Sequence, residues 1–103
     1  MAVINLTSGN FENEVMKSDK PVLIDFFATW CGPCRMVSPI VDSIAEERGD
    51  IKVCKVDVDE EGELAARFGV SSIPTLVVMK GGKVTASNLG AVPKEVILGM
   101  LEK

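Results

Sequence analysis

The chain has no histidine among its 103 residues and only three cysteines. Without histidine there is neither a Cys/His zinc site nor a cysteine–histidine nucleophilic pair, and three thiolates cannot fill a four-thiolate site. An odd and small cysteine count also argues against a secreted domain stapled by disulfides. No apolar run exceeds the length of a strand, so no membrane span is expected. The first residues lack a basic segment leading into an apolar one, so no secretory signal is expected and the expected compartment is the cytoplasm. Positive charge is the scarcer sign. Lys and Arg number 11 against 15 Asp and Glu, a net charge of −4, which argues against nucleic acid or anionic lipid as partner.

What remains is an ordinary globular composition, 47% hydrophobic and 25% charged, without repeats or internal linkers. One domain over residues 1–103 is expected, large enough for a proper core but not for two. Val3–Leu6 reads as a short first strand. Asn10 is expected to cap a helix reaching about Lys17, with Phe11 and Val15 on one face. Val22–Phe27 is nearly continuous in its apolar character and reads as a central strand covered on both faces. From Cys31 to about Arg48 the spacing becomes helical, with Val37, Ile40, Val41, Ile44 and Ala45 in one stripe and Pro39 inside. Residues 51–58 alternate as a third strand. Asp59 is expected to cap a helix over residues 60–68. Residues 75–80 and 83–87 flank Gly81-Gly82 as a hairpin. Pro93 then opens a helix expected to bury Val96, Ile97, Met100 and Leu101. Short crossovers demand parallel neighbours and the Gly-Gly turn demands an antiparallel pair. The expected fold is therefore α/β, a mixed sheet with helices on both faces.

The chemistry concentrates in Trp30-Cys31-Gly32-Pro33-Cys34-Arg35. If a helix starts near Cys31, that sulfur meets free backbone N–H groups and the positive end of the helix dipole, which favour a thiolate. Cys34 lies one turn on, so the two sulfurs share a face and can approach closely. Gly32 permits close approach of a substrate backbone, and Pro33 suits a first helical turn. The pair reads as a reversible dithiol, with Cys31 the exposed nucleophile and Cys34 less accessible. Asp25 is the only polar residue between Val22 and Phe27. Either it faces water on an edge strand, or it is buried and its pKa is raised. By pattern alone Lys55 is a solvated strand residue, Pro74 an edge-strand proline, Trp30 core or rim, and Cys54 a small buried hydrophobe.

These residues in this order resemble the thioredoxin family. Trp30-Cys31-Gly32-Pro33-Cys34 matches that family's active-site pentapeptide. Asp25, Pro39, Lys55, Ile73-Pro74-Thr75, Gly82 and Gly90-Ala91 match further positions, and the similarity covers essentially the whole chain. The resemblance implies the thioredoxin fold and a protein-disulfide reductase working through a Cys31–Cys34 dithiol/disulfide, with no cofactor and no metal of its own. It gives Asp25 a role in moving a proton to and from Cys34, with Lys55 near it as a tuning charge. It implies a cis Ile73–Pro74 bond beside the cysteines. It also implies a substrate surface of Trp30, Gly32, Pro33, Ile73, Pro74, Gly90 and Ala91. The implied partners are disulfide-containing proteins and an NADPH- and flavin-dependent thioredoxin reductase, the protein itself being a monomer. Phe27, Arg35, Ser71-Ser72, Met79 and the extra Cys54 depart from the common pattern and bear on partner preference and tuning. Two alternatives stay open here: a disulfide oxidase or isomerase on the same fold, and a non-catalytic subunit of a larger complex.

Overall fold

In the computed structural model, which describes residues 3–103, the apolar run Val22–Phe27 is the middle strand of a five-stranded mixed sheet. In chain order the strands are β1 (Ile4–Asn5), β2 (Val22–Phe27), β3 (Lys52–Asp57), β4 (Thr75–Lys80) and β5 (Lys83–Leu89). Across the sheet they run β1-β3-β2-β4-β5. The helices are α1 (Gly32–Glu47), α2 (Gly62–Arg67) and α3 (Lys94–Leu101), and a single π-helical turn, Glu12–Met16, precedes β2. β2 pairs in parallel with β3 and antiparallel with β4, so it joins the two halves of the sheet. The β4–β5 connection is the two-glycine turn, Gly81 at φ +59° and Gly82 at φ +80°. Positive φ at both positions matches the twist of the strands it joins and suits glycine, with asparagine the main alternative at the first.

Each face of the sheet carries its own core. Leu23, Val53, Leu76 and Val78 meet α1 and α3 on one face, with Val41 and Ile97 fully buried between them. Ile24, Phe26, Val56 and Val77 meet the π-helical turn and α2 on the other. Alternate residues of β2 therefore enter opposite cores, which is why its sequence is apolar almost throughout. Asp25, the fourth residue of β2, lies between Ile24 and Phe26 and is 1% exposed. Its Cα partners are Lys55 on β3 and Leu76 on β4.

Several local expectations are corrected. Asn10 does not cap an α-helix: its side chain accepts from the Thr7 N–H at 2.8 Å and donates to the Asn5 carbonyl at 3.0 Å. The segment that follows closes as a π-turn, with the Lys17 N–H donating to the Glu12 carbonyl. Asp59 does not cap α2 either. The helix starts at Gly62, and the Asp59 carboxylate is engaged by the Trp30 indole. Cys31 is the residue flanking α1 rather than its first helical one. Pro39, by contrast, lies inside α1 as expected, exposed on its outer face, and the helix continues past it to Glu47. Val96 is exposed on α3 while Ile97, Met100 and Leu101 are buried, and β5 runs two residues further than expected, to Leu89.

Candidate active site

Cys31 lies just beyond the C-terminal end of β2, in extended conformation (φ −87°, ψ 113°), as the N-cap of α1. Pro33 falls in the first turn, where a missing N–H costs nothing. The Cys34 N–H donates to Cys31 Sγ at 3.2 Å, so a sulfur takes the place that a serine or aspartate oxygen holds in common N-caps. A negative charge on that sulfur would be stabilised by this bond and by the helix end. Cys31 and Cys34 are joined as a disulfide with their Cα atoms 5.3 Å apart.

The expected exposure of Cys31 is not found in this oxidised state: Cys31 is 4% and Cys34 3% exposed. Both pack with Ala28 against Phe27, Val58 and Ile73, a small apolar cluster separate from the two main cores. The residues around the pair are open instead. Trp30 is 67% exposed, Met36 69%, and Gly32 and Pro33 lie at the surface. The Trp30 Nε1–H donates to Asp59 Oδ2 at 2.8 Å, which tethers the indole beside the motif. Trp30 and Ile73 line one open depression of about 440 Å³ together with Val58, Val70, Ser71 and Ser72. The Ile73–Pro74 peptide bond is cis. The Gly90 N–H donates to the Pro74 carbonyl at 2.8 Å, which ties the exposed Ala91 loop to the same edge. Val58 and Val70 were not singled out from the sequence, and Asp59 was read there only as a helix cap, not as part of the site. Only their placement beside Trp30 gives them meaning.

Beneath α1, neither Asp25 oxygen has a hydrogen-bond partner among the described residues. Burial pushes its carboxyl up from 3.8 to about 6; Lys55 opposes that rise and Asp42 adds to it. A carboxyl with a pKa near 6 is mostly ionised at neutral pH, yet is a stronger base than an exposed aspartate. Lys55 stands beside Asp25 in register but does not bond to it. Its ammonium pairs with Asp42 Oδ1 at 3.2 Å, donates to the Ser38 hydroxyl, and lies 5.9 Å from the centre of the Phe27 ring. Ser38 and Asp42 were missed from the sequence. Cys54, the remaining thiol, is 0% exposed in the opposite core, where burial pushes it up to about 12.

A disulfide-bonded pair at the N-cap of a helix, set at the end of the middle strand of a mixed sheet, defines a dithiol–disulfide oxidoreductase. Comparison with known proteins agrees. The thioredoxin family profile matches residues 2–103. A protein of Nostoc sp. named Thioredoxin 1 is 50% identical over 103 residues, covering 99% of this chain and 96% of its own. Thioredoxin of Porphyra purpurea is 49% identical over 104 residues (100% and 97% covered), and that of Pseudomonas aeruginosa 42% over 101 residues (97% and 94%). The chain belongs to the thioredoxin family. It is a protein-disulfide reductase that acts on disulfide substrates and works with a reductase partner. No helix among the described residues is long and apolar enough to cross a membrane.

Proposed function

We propose that Cys31 is the nucleophile, Cys34 the resolving thiol and Asp25 the proton acceptor in the reduction of protein disulfides. The Cys31 thiolate attacks one sulfur of the substrate disulfide; that bond breaks and the departing substrate sulfur takes a proton from solvent. Cys34 then gives its proton to Asp25 and attacks Cys31 Sγ, and the mixed disulfide breaks. The second substrate sulfur leaves as a thiolate and is protonated in turn. The substrate gains two electrons and two protons, and the protein is left with its Cys31–Cys34 disulfide.

The observation that carries this order of attack is the bond from the Cys34 N–H to Cys31 Sγ, which favours negative charge on Cys31 alone. Trp30, Gly32, Pro33, Ile73, Pro74, Gly90 and Ala91 are read as the surface on which an extended substrate segment lies, its backbone pairing beside Ile73. Lys55 is a tuning charge on Asp25. In this reading the whole chain is one domain, monomeric and cytoplasmic, and a flavin-containing, NADPH-dependent reductase restores the dithiol.

Single-cysteine variants test the roles. Cys34→Ser is expected to accumulate mixed disulfides with an oxidised protein substrate such as insulin, released by dithiothreitol and visible on non-reducing gels. Cys31→Ser is expected to accumulate none. Equal trapping by both would reverse or dissolve the assignment.

A further inference from the structure

Asp42 and Ser38 are four residues apart on α1 and so present their side chains on one face of it. That face meets β3, where both side chains converge on a single group, the Lys55 ammonium. Phe27, from β2, lies near the same ammonium with its ring. Lys55 is thereby engaged from two other elements, at a strand position directly alongside Asp25. Asp25, the one carboxylate that is fully buried there, has no partner at all among the described residues. An unpaired buried lysine and carboxylate side by side would ordinarily collapse onto each other. Here the lysine is drawn toward the surface, to an aspartate that is itself 55% exposed.

We propose that Asp42 and Ser38 are positioning residues that clamp the Lys55 ammonium and keep it from closing on Asp25, leaving that carboxylate free to take a proton. The proposal rests on the reading of Asp25 as proton acceptor and adds the device that preserves its basicity. An aspartate captured in an ion pair would be a weaker base toward a thiol, because the pair favours its ionised form. The charged groups acting on Asp25 are Lys55 from β3 and Asp42 from α1. β4 opposes it with Leu76, and α1 also carries Cys34. Lowering of the Asp25 pKa by Lys55 and raising of it by Asp42 fit this arrangement.

The test is the titration of Asp25 itself, followed by its side-chain carboxyl carbon-13 resonance in the oxidised protein. Asp42→Asn is expected to lower the midpoint by about one pH unit, and Ser38→Ala to lower it by a smaller amount although no charge is removed. Asp42→Glu should restore most of the wild-type value. In a Lys55→Gln background the effect of Asp42→Asn should fall to less than about half, since the group it acts through is gone. An Asp42→Asn shift of the same size with and without Lys55, together with a Ser38→Ala midpoint equal to wild type, would overturn the clamp. The pH profile of insulin reduction separates the two levels. If the midpoints move as stated while the profile stays fixed, the clamp stands and the proton-acceptor role of Asp25 falls. If the midpoints do not move, the clamp falls whatever the profile does.

Discussion

Asp25 holds its proton more tightly in the folded protein than in the unfolded chain, because burial without a hydrogen bond penalises the ionised form. Its contribution to stability is therefore most favourable below about pH 3.8, declines as the pH rises toward about 6, and stays unfavourable above that. A rise from 3.8 to about 6 corresponds to a loss of about 3 kcal/mol at pH 8. Asp25→Ala is expected to lack this dependence and to exceed wild type in urea midpoint at pH 8, while reducing insulin more slowly. A variant less stable at every pH and unchanged in rate would make Asp25 a purely structural residue. Cys54 is a second buried titratable group, a free thiol in the opposite core. Its Cα partners are Ile4 and Ile24, and its thiol is pushed up to about 12. Iodoacetamide at pH 8 should leave it unlabelled in the native protein. Cys54→Ser, which buries a hydroxyl there, should cost about 1–3 kcal/mol in urea denaturation.

At the scale of elements, the sequence is legible where one force dominates. The run Val22–Phe27 and the stripe Val37, Ile40, Val41, Ile44, Ala45 follow from burial alone, and both appear, with Ile40 only partly buried. The Gly81-Gly82 turn was legible because positive φ at two successive positions leaves little choice of residue. It follows that Gly81→Asn, which tolerates that conformation, should leave the thermal midpoint close to wild type. Gly81→Val should lower stability by about 1–2 kcal/mol through strain. Thermal unfolding of the two variants separates the turn requirement from a mere loss of flexibility. Helix starts were less legible, because a capping residue can be recruited elsewhere. Asn10 is taken by Thr7 and Asn5, and Asp59 by Trp30, 29 residues away in sequence. Neither competition is visible until the chain has folded.

Across the whole molecule, the two cores divided by the sheet set the stability, and surface ion pairs add little. α3 is held by Ile97, fully buried in the core that α1, α3 and the sheet share, and is tied to α1 by Lys94, which reaches Glu47 at 2.7 Å and Ser43 at 3.0 Å. Ile97→Ala should cost about 2–5 kcal/mol. Lys94→Met should produce only a small loss that disappears at high salt, because that pair is solvent-exposed. Urea titrations with and without added salt distinguish the two, and a larger effect at Lys94 would show that α3 is anchored electrostatically. The site was legible to the same degree as its parts are local. Cys31, Cys34 and Trp30 lie within one short segment and were read directly. Asp25 stood out as a lone charge in an apolar strand, whereas Ser38 and Asp42 look like any polar pair on a helix until β3 lies beneath them.

The hydrogen bond from Cys34 to Cys31 closes within four residues, whereas Asp25, Ser38, Asp42 and Lys55 come together only through β2, α1 and β3. If these residues act as proposed, electron handling is therefore portable and proton handling is not. The hexapeptide Trp30–Arg35, moved to the start of a helix in an unrelated host, would carry its capacity for disulfide exchange with it. Its response to acidity would be whatever the host's own interior imposed.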